Sequence, residues 1–184
     1  MCASAAAAAR ARAPAFVLCL VAILWLAPAR FGRAQAPPAR LYVPSGHSSW
    51  ISAVACSPAD DLVVTGDTDG LLKLWNVSTG RQIRTISAHT RRIQQVAFSA
   101  DGKRLATAGQ DGTAAVWEVV SGKQVARLPH GETRVNAVAF GPRGRKLVTA
   151  AEDEKARIWN LPDGRLLATL EGHEHAVACV AVTP

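Results

Sequence analysis

An all-β fold made of one four-stranded unit used repeatedly is predicted by three observations. Trp75, Trp117 and Trp159 stand 42 residues apart, and the sequence around each repeats in register over Leu62–Gly80, Arg104–Gly122 and Lys146–Gly164. Within those segments Thr65, Thr107 and Thr149 coincide, as do Asp69, Asp111 and Asp153 and the turn glycines Gly80, Gly122 and Gly164. Each unit also breaks into short β-prone runs separated by turn dipeptides. A fixed period of this size marks a supersecondary unit that buries its apolar faces by stacking on its neighbours.

The second unit shows the elements most plainly. Arg92–Phe98, Arg104–Ala108, Ala114–Val119 and Lys123–Leu128 read as strands, cut by Asp101-Gly102, Asp111-Gly112 and Ser121-Gly122, dipeptides that favour turn conformations. The first and third units carry the same strands by register. A leading strand is expected near Leu41–Val43 and a trailing one over Ala176–Val182, whose end Val182-Thr183-Pro184 matches Cys56-Ser57-Pro58. Apolar residues fall on both alternating sets, as in Val135, Ala137, Val138 and Phe140. A sheet with one wet face would alternate cleanly, so each sheet is expected to be covered on both.

Each unit resembles the WD40 repeat, whose signature is a Gly-His pair followed later by Trp-Asp. Gly46-His47 leads to Trp75-Asn76 and Ala88-His89 to Trp117-Glu118, while the third tryptophan precedes Asn160, so no copy has a literal Trp-Asp. The style of the turns, such as Ser99–Lys103, resembles bacterial secreted members. The resemblance covers residues 39–184 and implies a WD40-type β-propeller, with units at 46–87, 88–129 and 130–171 and a partial one at 172–184. Propellers close with about four to eight blades. Three blades plus flanking strands therefore read as an incomplete or truncated propeller, a segment spanning 37–184. Its open blade edges would be covered by missing blades, by self-association or by a partner chain.

The resemblance also implies a hydrogen-bond chain in each blade, running from tryptophan to threonine to histidine to aspartate. The residues that would form it are Trp75, Thr65, His47 and Asp69 in the first unit and Trp117, Thr107, His89 and Asp111 in the second. The third offers Trp159, Thr149 and Asp153, but Gly131 occupies the histidine position and His130 stands one place early, so a weakened or rearranged network is expected. Indole only donates, carboxylate only accepts, and hydroxyl and neutral imidazole do both, so the types suit the chain. The same types could suggest hydrolysis. Three equally spaced copies argue instead for fold residues, and no catalytic residue, cofactor or metal site is expected. The His173-x-His175 pair is assigned to the repeat, not to a metal.

Residues 1–36 hold Arg10, Arg12, Arg30 and Arg33, no acidic residue, and an uncharged stretch of 17 residues, Ala13–Ala29. A basic start, an apolar core and small residues describe a secretory signal peptide, with cleavage after Ala34 preferred. A secreted or periplasmic location follows. An uncleaved membrane anchor with the repeats outside the cytoplasm, and an organelle transit peptide, stay open as alternatives.

The chain carries +7, but residues 37–184 hold 17 Lys and Arg against 14 Asp and Glu, or +3. That balance and the lack of a nucleic-acid motif predict no nucleic-acid partner. Cys56 shares a column with Phe98 and Phe140, and it and Cys179 are expected to be buried thiols. In the propeller family the rim between histidine column and first strand binds peptides or proteins, which here implies Trp50, Arg91, Arg92 and Arg134, with Thr68, Gln110 and Glu152 beside them. A Trp among arginines suits a protein or peptide partner, acidic in character. The function expected is a non-catalytic interaction scaffold. The alternative is the regulatory or targeting propeller of a larger enzyme, kinase- or protease-linked, whose catalytic domain lies outside this chain.

Overall fold

The structure is a computed structural model, and it describes residues 46–161 and 163–183. The strand expected near Leu41 and the segment 1–36 lie outside the described residues. Within them, twelve strands form three antiparallel sheets. The first contains β1 (Ile51–Cys56), β2 (Leu62–Asp67), β3 (Leu71–Asn76) and β4 (Gln82–Ser87). The second contains β5 (Ile93–Phe98), β6 (Arg104–Gly109), β7 (Thr113–Glu118) and β8 (Gln124–Pro129). The third contains β9 (Val135–Phe140), β10 (Lys146–Ala151), β11 (Ala156–Asn160) and β12 (Arg165–Leu170). Each sheet is a meander in chain order, as short turns between consecutive β-prone runs require.

The register repeats as the sequence does. The ladder shifts between Leu74 and Trp75, between Val116 and Trp117, and between Ile158 and Trp159. The extra residue lies on the fourth strand each time (Ile83, Val125 and Leu167), and such a bulge bends that strand and re-aims the side chains beside it. The inner strands β1, β5 and β9 lie in sequence against one another, the first sheet on the second and the second on the third.

Two cores result. Between the first and second sheets, Val64, Leu72, Leu74 and Ile86 meet Ile93, Val96, Leu105, Ala115 and Trp117. Between the second and third, Ala106, Ala108, Ala114 and Val116 meet Val135, Val138, Leu147 and Trp159. Neighbouring residues on β6 and β7 thus serve opposite faces, which is why the second unit lacks polar alternation. The outward face of the first sheet differs: Ile51, Val54 and Val77 are about half exposed. The expectation of two covered faces holds in full only for the middle sheet.

Two expectations are corrected here. Cys56 and Cys179 are both exposed, because Cys56 lies on β1, whose burial is only partial along its length, and Cys179 lies in the extended tail. Ala176–Val182 contains no strand. It runs beside the third sheet, where Val177 N donates to Ala151 O (3.2 Å) and Asn136 Nδ2 donates to Val177 O (3.0 Å), but it joins no ladder.

Candidate functional site

One end of the three sheets gathers the loop before each first strand and the turn between the second and third. A backbone bond ties these two pieces in every sheet: Thr68 N to Trp50 O (3.0 Å), Gln110 N to Arg92 O (2.9 Å) and Glu152 N to Arg134 O (2.9 Å). The rim residues taken from sequence therefore share one end. Trp50 is 86% exposed, Arg91 is exposed, and Arg92, Thr68 and Gln110 are half-buried. Ser49 and Thr68 bond through their hydroxyls. Arg134 is committed within its own sheet, its Nη2 donating to Glu152 Oε1 (3.2 Å) and its Nε to Asn136 Oδ1 (3.0 Å).

Beneath this rim lie the polar networks. In the second sheet Trp117 Nε1 donates to Thr107 Oγ1 (3.1 Å), Thr107 Oγ1 meets His89 Nε2 (2.7 Å) and His89 Nδ1 meets Asp111 Oδ1 (3.0 Å). A carboxylate only accepts, so Nδ1 carries the proton, and the threonine hydroxyl donates to Nε2. Asp111 also accepts from Thr113 Oγ1 (2.8 Å) and from Thr90 N (3.1 Å). Burial lowers the His89 pKa, with Asp111 opposing in part. Burial raises the carboxyl of Asp111, but the His89 charge and the hydrogen bonds carry it below its ordinary value.

The first sheet corrects one assignment. His47 Nδ1 meets Asp67 Oδ2 at 2.6 Å, not Asp69, while His47 Nε2 lies 2.6 Å from Thr65 Oγ1 and Trp75 Nε1 donates to that oxygen at 2.8 Å. Asp69 is exposed, and its backbone N donates to Asp67 Oδ1 (3.0 Å), as does Leu71 N (2.9 Å). The column of Asp67 is occupied by Gly109 in the second sheet, where a Cβ would stand 2.2 Å from His89 Nδ1. In the first sheet a carboxylate grows from that column, and in the second glycine leaves room for one two residues later.

The third sheet is rewired. His130, one place early, still brings Nε2 to Thr149 Oγ1 (2.7 Å), and Trp159 Nε1 donates to the same oxygen (2.9 Å). Its Nδ1 donates to the Leu128 carbonyl (3.0 Å) instead of a carboxylate. Burial lowers its pKa to about 4, so the ring is neutral near pH 7. Asp153 pairs with Arg157, Oδ2 to Nη2 at 2.5 Å; its carboxyl, raised by burial, ends below its ordinary value through the Arg157 bonds and charge. The early placement of His130 signals a rearranged network, but apart from the basic residue at 157 nothing in the repeat pattern names the new partners.

Chemically, the networks hold loops. Thr107 and Thr149 are buried, and each hydroxyl is occupied by an indole and an imidazole. Neither can reach a substrate. Among the described residues no group of three or more His, Cys, Asp and Glu is placed to hold a metal ion.

The family profile described as Nucleolar protein 10-like, N-terminal domain, matches residues 31–184. The chain belongs to this family. Solved structures share the WD40 propeller fold: U3-55K (26% identity, TM-score 0.69, 73% of this chain and 43% of that one) and the RRP9 WD40 repeats (26%, 0.69, 73% and 42%). The computationally designed Ika4 protein is similar at 27% identity and a TM-score of 0.68, over 76% of this chain and 84% of that one. Among curated proteins, Pleiotropic regulator 1 of Homo sapiens is 39% identical over 46 residues, and Ribosome biogenesis protein BOP1 of Homo sapiens 38% over 50. Those matches span 24% and 27% of this chain, and only 9% and 7% of the relatives. These matches overturn the secreted or periplasmic location expected from the N-terminal segment. A nucleolar family and a ribosome biogenesis relative point to the nucleus, and the family match begins at residue 31, inside the segment read as a leader. The resemblance to bacterial secreted members has no support among them.

Proposed function

We propose that this nucleolar protein 10-like segment is a non-catalytic scaffold that binds a protein partner through its Trp50–Arg91–Arg92 rim, in the setting of ribosome biogenesis. The observation that carries the reading is the construction of that rim. In the first and second sheets, which carry these residues, the exposed loop is bonded to its neighbouring turn through the backbone and stapled from below by a histidine paired to a carboxylate, so the side chains are presented on a preorganised surface. A largely exposed tryptophan beside arginines is the composition of binding hot spots. Arg91 and Arg92 have no ion-pair partner among the described residues, whereas Arg134 does. The free cations favour a peptide that sets an acidic residue beside an apolar one.

A random-peptide display selection on the full chain tests this. Asp- or Glu-containing peptides with a neighbouring apolar residue should be enriched, and both Trp50→Ala and Arg91→Glu/Arg92→Glu should abolish the enrichment at unchanged melting temperature. Enrichment indifferent to both variants would place the partner surface elsewhere.

A further inference from the structure

The opposite end of the sheets is built from the turns that join first to second strands and third to fourth. Val119 N donates to Lys103 O (3.0 Å) and Leu161 N to Arg145 O (2.9 Å), so the two kinds of turn adjoin within a sheet. Arg104 Nη1 donates to Gly144 O at 3.3 Å, joining the second and third sheets at this end.

One four-residue stretch of the repeat changes charge along the series. It reads Ala59-Asp60-Asp61-Leu62, then Asp101-Gly102-Lys103-Arg104, then Arg143-Gly144-Arg145-Lys146, for net charges of −2, +1 and +3. Each of the three turns is closed by the same backbone bond, Ser57 N to Leu62 O, Ser99 N to Arg104 O and Gly141 N to Lys146 O (2.9 Å each), so closing the turn does not require the trend. Lys103, Arg143, Arg145 and Lys146 are exposed, and with Arg104 none of them is in an ion pair among the described residues. Three acids border this cluster: Asp60 of the first sheet lies beside Gly102, Glu118 stands opposite Arg104 in the ladder, and Asp101 is occupied by Ser99 Oγ (2.6 Å) and Lys103 N (3.1 Å). Arg143 is held at φ 63, a left-handed conformation that a non-glycine residue seldom adopts. The whole-domain balance of +3 conceals this segregation.

We infer that the turn end of the second and third sheets, centred on Lys103, Arg104, Arg143, Arg145 and Lys146, is a docking surface for the phosphate backbone of a nucleic acid. No aromatic side chain belongs to these turns, so bases have nothing to stack on, and binding is through phosphate and indifferent to sequence. The same lack of a large apolar anchor disfavours a protein partner here. This surface is distinct from the Trp50 rim and does not rest on it.

Fluorescence anisotropy of the full chain with labelled single-stranded RNA and DNA of one length, titrated across salt, decides between the outcomes. Neutralising five phosphates should give a log–log salt slope of about −3.5 on a single strand. Arg143→Glu/Arg145→Glu should weaken binding about tenfold or more and flatten the slope by about 1.4, because two phosphates are no longer neutralised. Lys103→Glu, on a different sheet, should do the same to a smaller degree. Arg91→Glu/Arg92→Glu should leave the affinity unchanged. Equal affinity for RNA and DNA supports phosphate recognition alone, and a preference for RNA adds the ribose hydroxyl to it. The inference is overturned by no binding, by binding that survives both turn variants in folded protein (which would assign it to the arginines of residues 1–36), or by equal binding of poly-glutamate, which would make this a surface for acidic proteins.

Discussion

The second and third sheets share a template and differ in wiring. In the second, His89 bridges Thr107 and a carboxylate, and that carboxylate reaches back to the rim loop through Thr90 N. In the third, His130 keeps the threonine but turns its other nitrogen to a backbone carbonyl, and Asp153 is left to Arg157. The part held constant is the buried one, a threonine receiving an indole N–H and facing an imidazole. The part that changes is the connection from imidazole to loop. A one-residue slip of a histidine is absorbed because a peptide carbonyl can also accept the imidazole N–H, without the charge a carboxylate brings, and the cost falls on the coupling between core and rim.

The largest expected effects are those the two sheets share. Trp117→Ala and Trp159→Ala should each destabilise the fold by about 3–5 kcal/mol through cavity and broken hydrogen bond, read as shifts in the urea midpoint. A much smaller loss for Trp159 would mean that the third network does not support its sheet. The next effect divides them. Asp111→Ala strips a buried imidazole N–H, a hydroxyl and two backbone N–H groups of their acceptor and should cost about 2–3 kcal/mol. Asp153→Ala removes a partly exposed ion pair and should cost about 1 kcal/mol or less. Equal losses would erase the distinction.

Acid sharpens the comparison. His130 titrates near 4 in the fold against 6.5 when unconstrained. Between those values the unfolded chain binds a proton that the folded chain does not, so stability complete above pH 6.5 declines as pH falls toward 4. His89 is shifted the same way, with Asp111 opposing. His130→Gln should therefore flatten the fall in urea midpoint between pH 6.5 and 4, and an unchanged slope would assign the acid sensitivity elsewhere. The smallest effect belongs to the rim: Arg92→Ala should change stability by no more than about 0.5 kcal/mol, checked by melting temperature.

Much of this was legible because repetition supplies its own alignment. The sheets, the turns and the threonine and tryptophan columns follow from residues that recur at a fixed offset. Asp67 was not legible. The column rule selects Asp69, and only the geometry shows that the carboxylate grows from the position Gly109 vacates in the next sheet. Nor was the pairing of Asp153 with Arg157, since the partner follows from where His130 turns its ring. The exposure of Cys56 was missed for a third reason: a column predicts burial only where a neighbouring sheet covers it. Location was misread because a short apolar, arginine-flanked segment has the composition of an export signal whatever its role.

Stacking in sequence has a consequence for how the structure comes apart. Among the described residues each sheet packs on the next in line, and the middle sheet alone has neighbours on both faces. Stability then behaves as a one-dimensional chain of nearest-neighbour couplings. Opening should travel inward from the outermost strands, β12 first with every residue exposed, and amide exchange should be slowest in β6 and β7, whose protons escape only when both interfaces have let go.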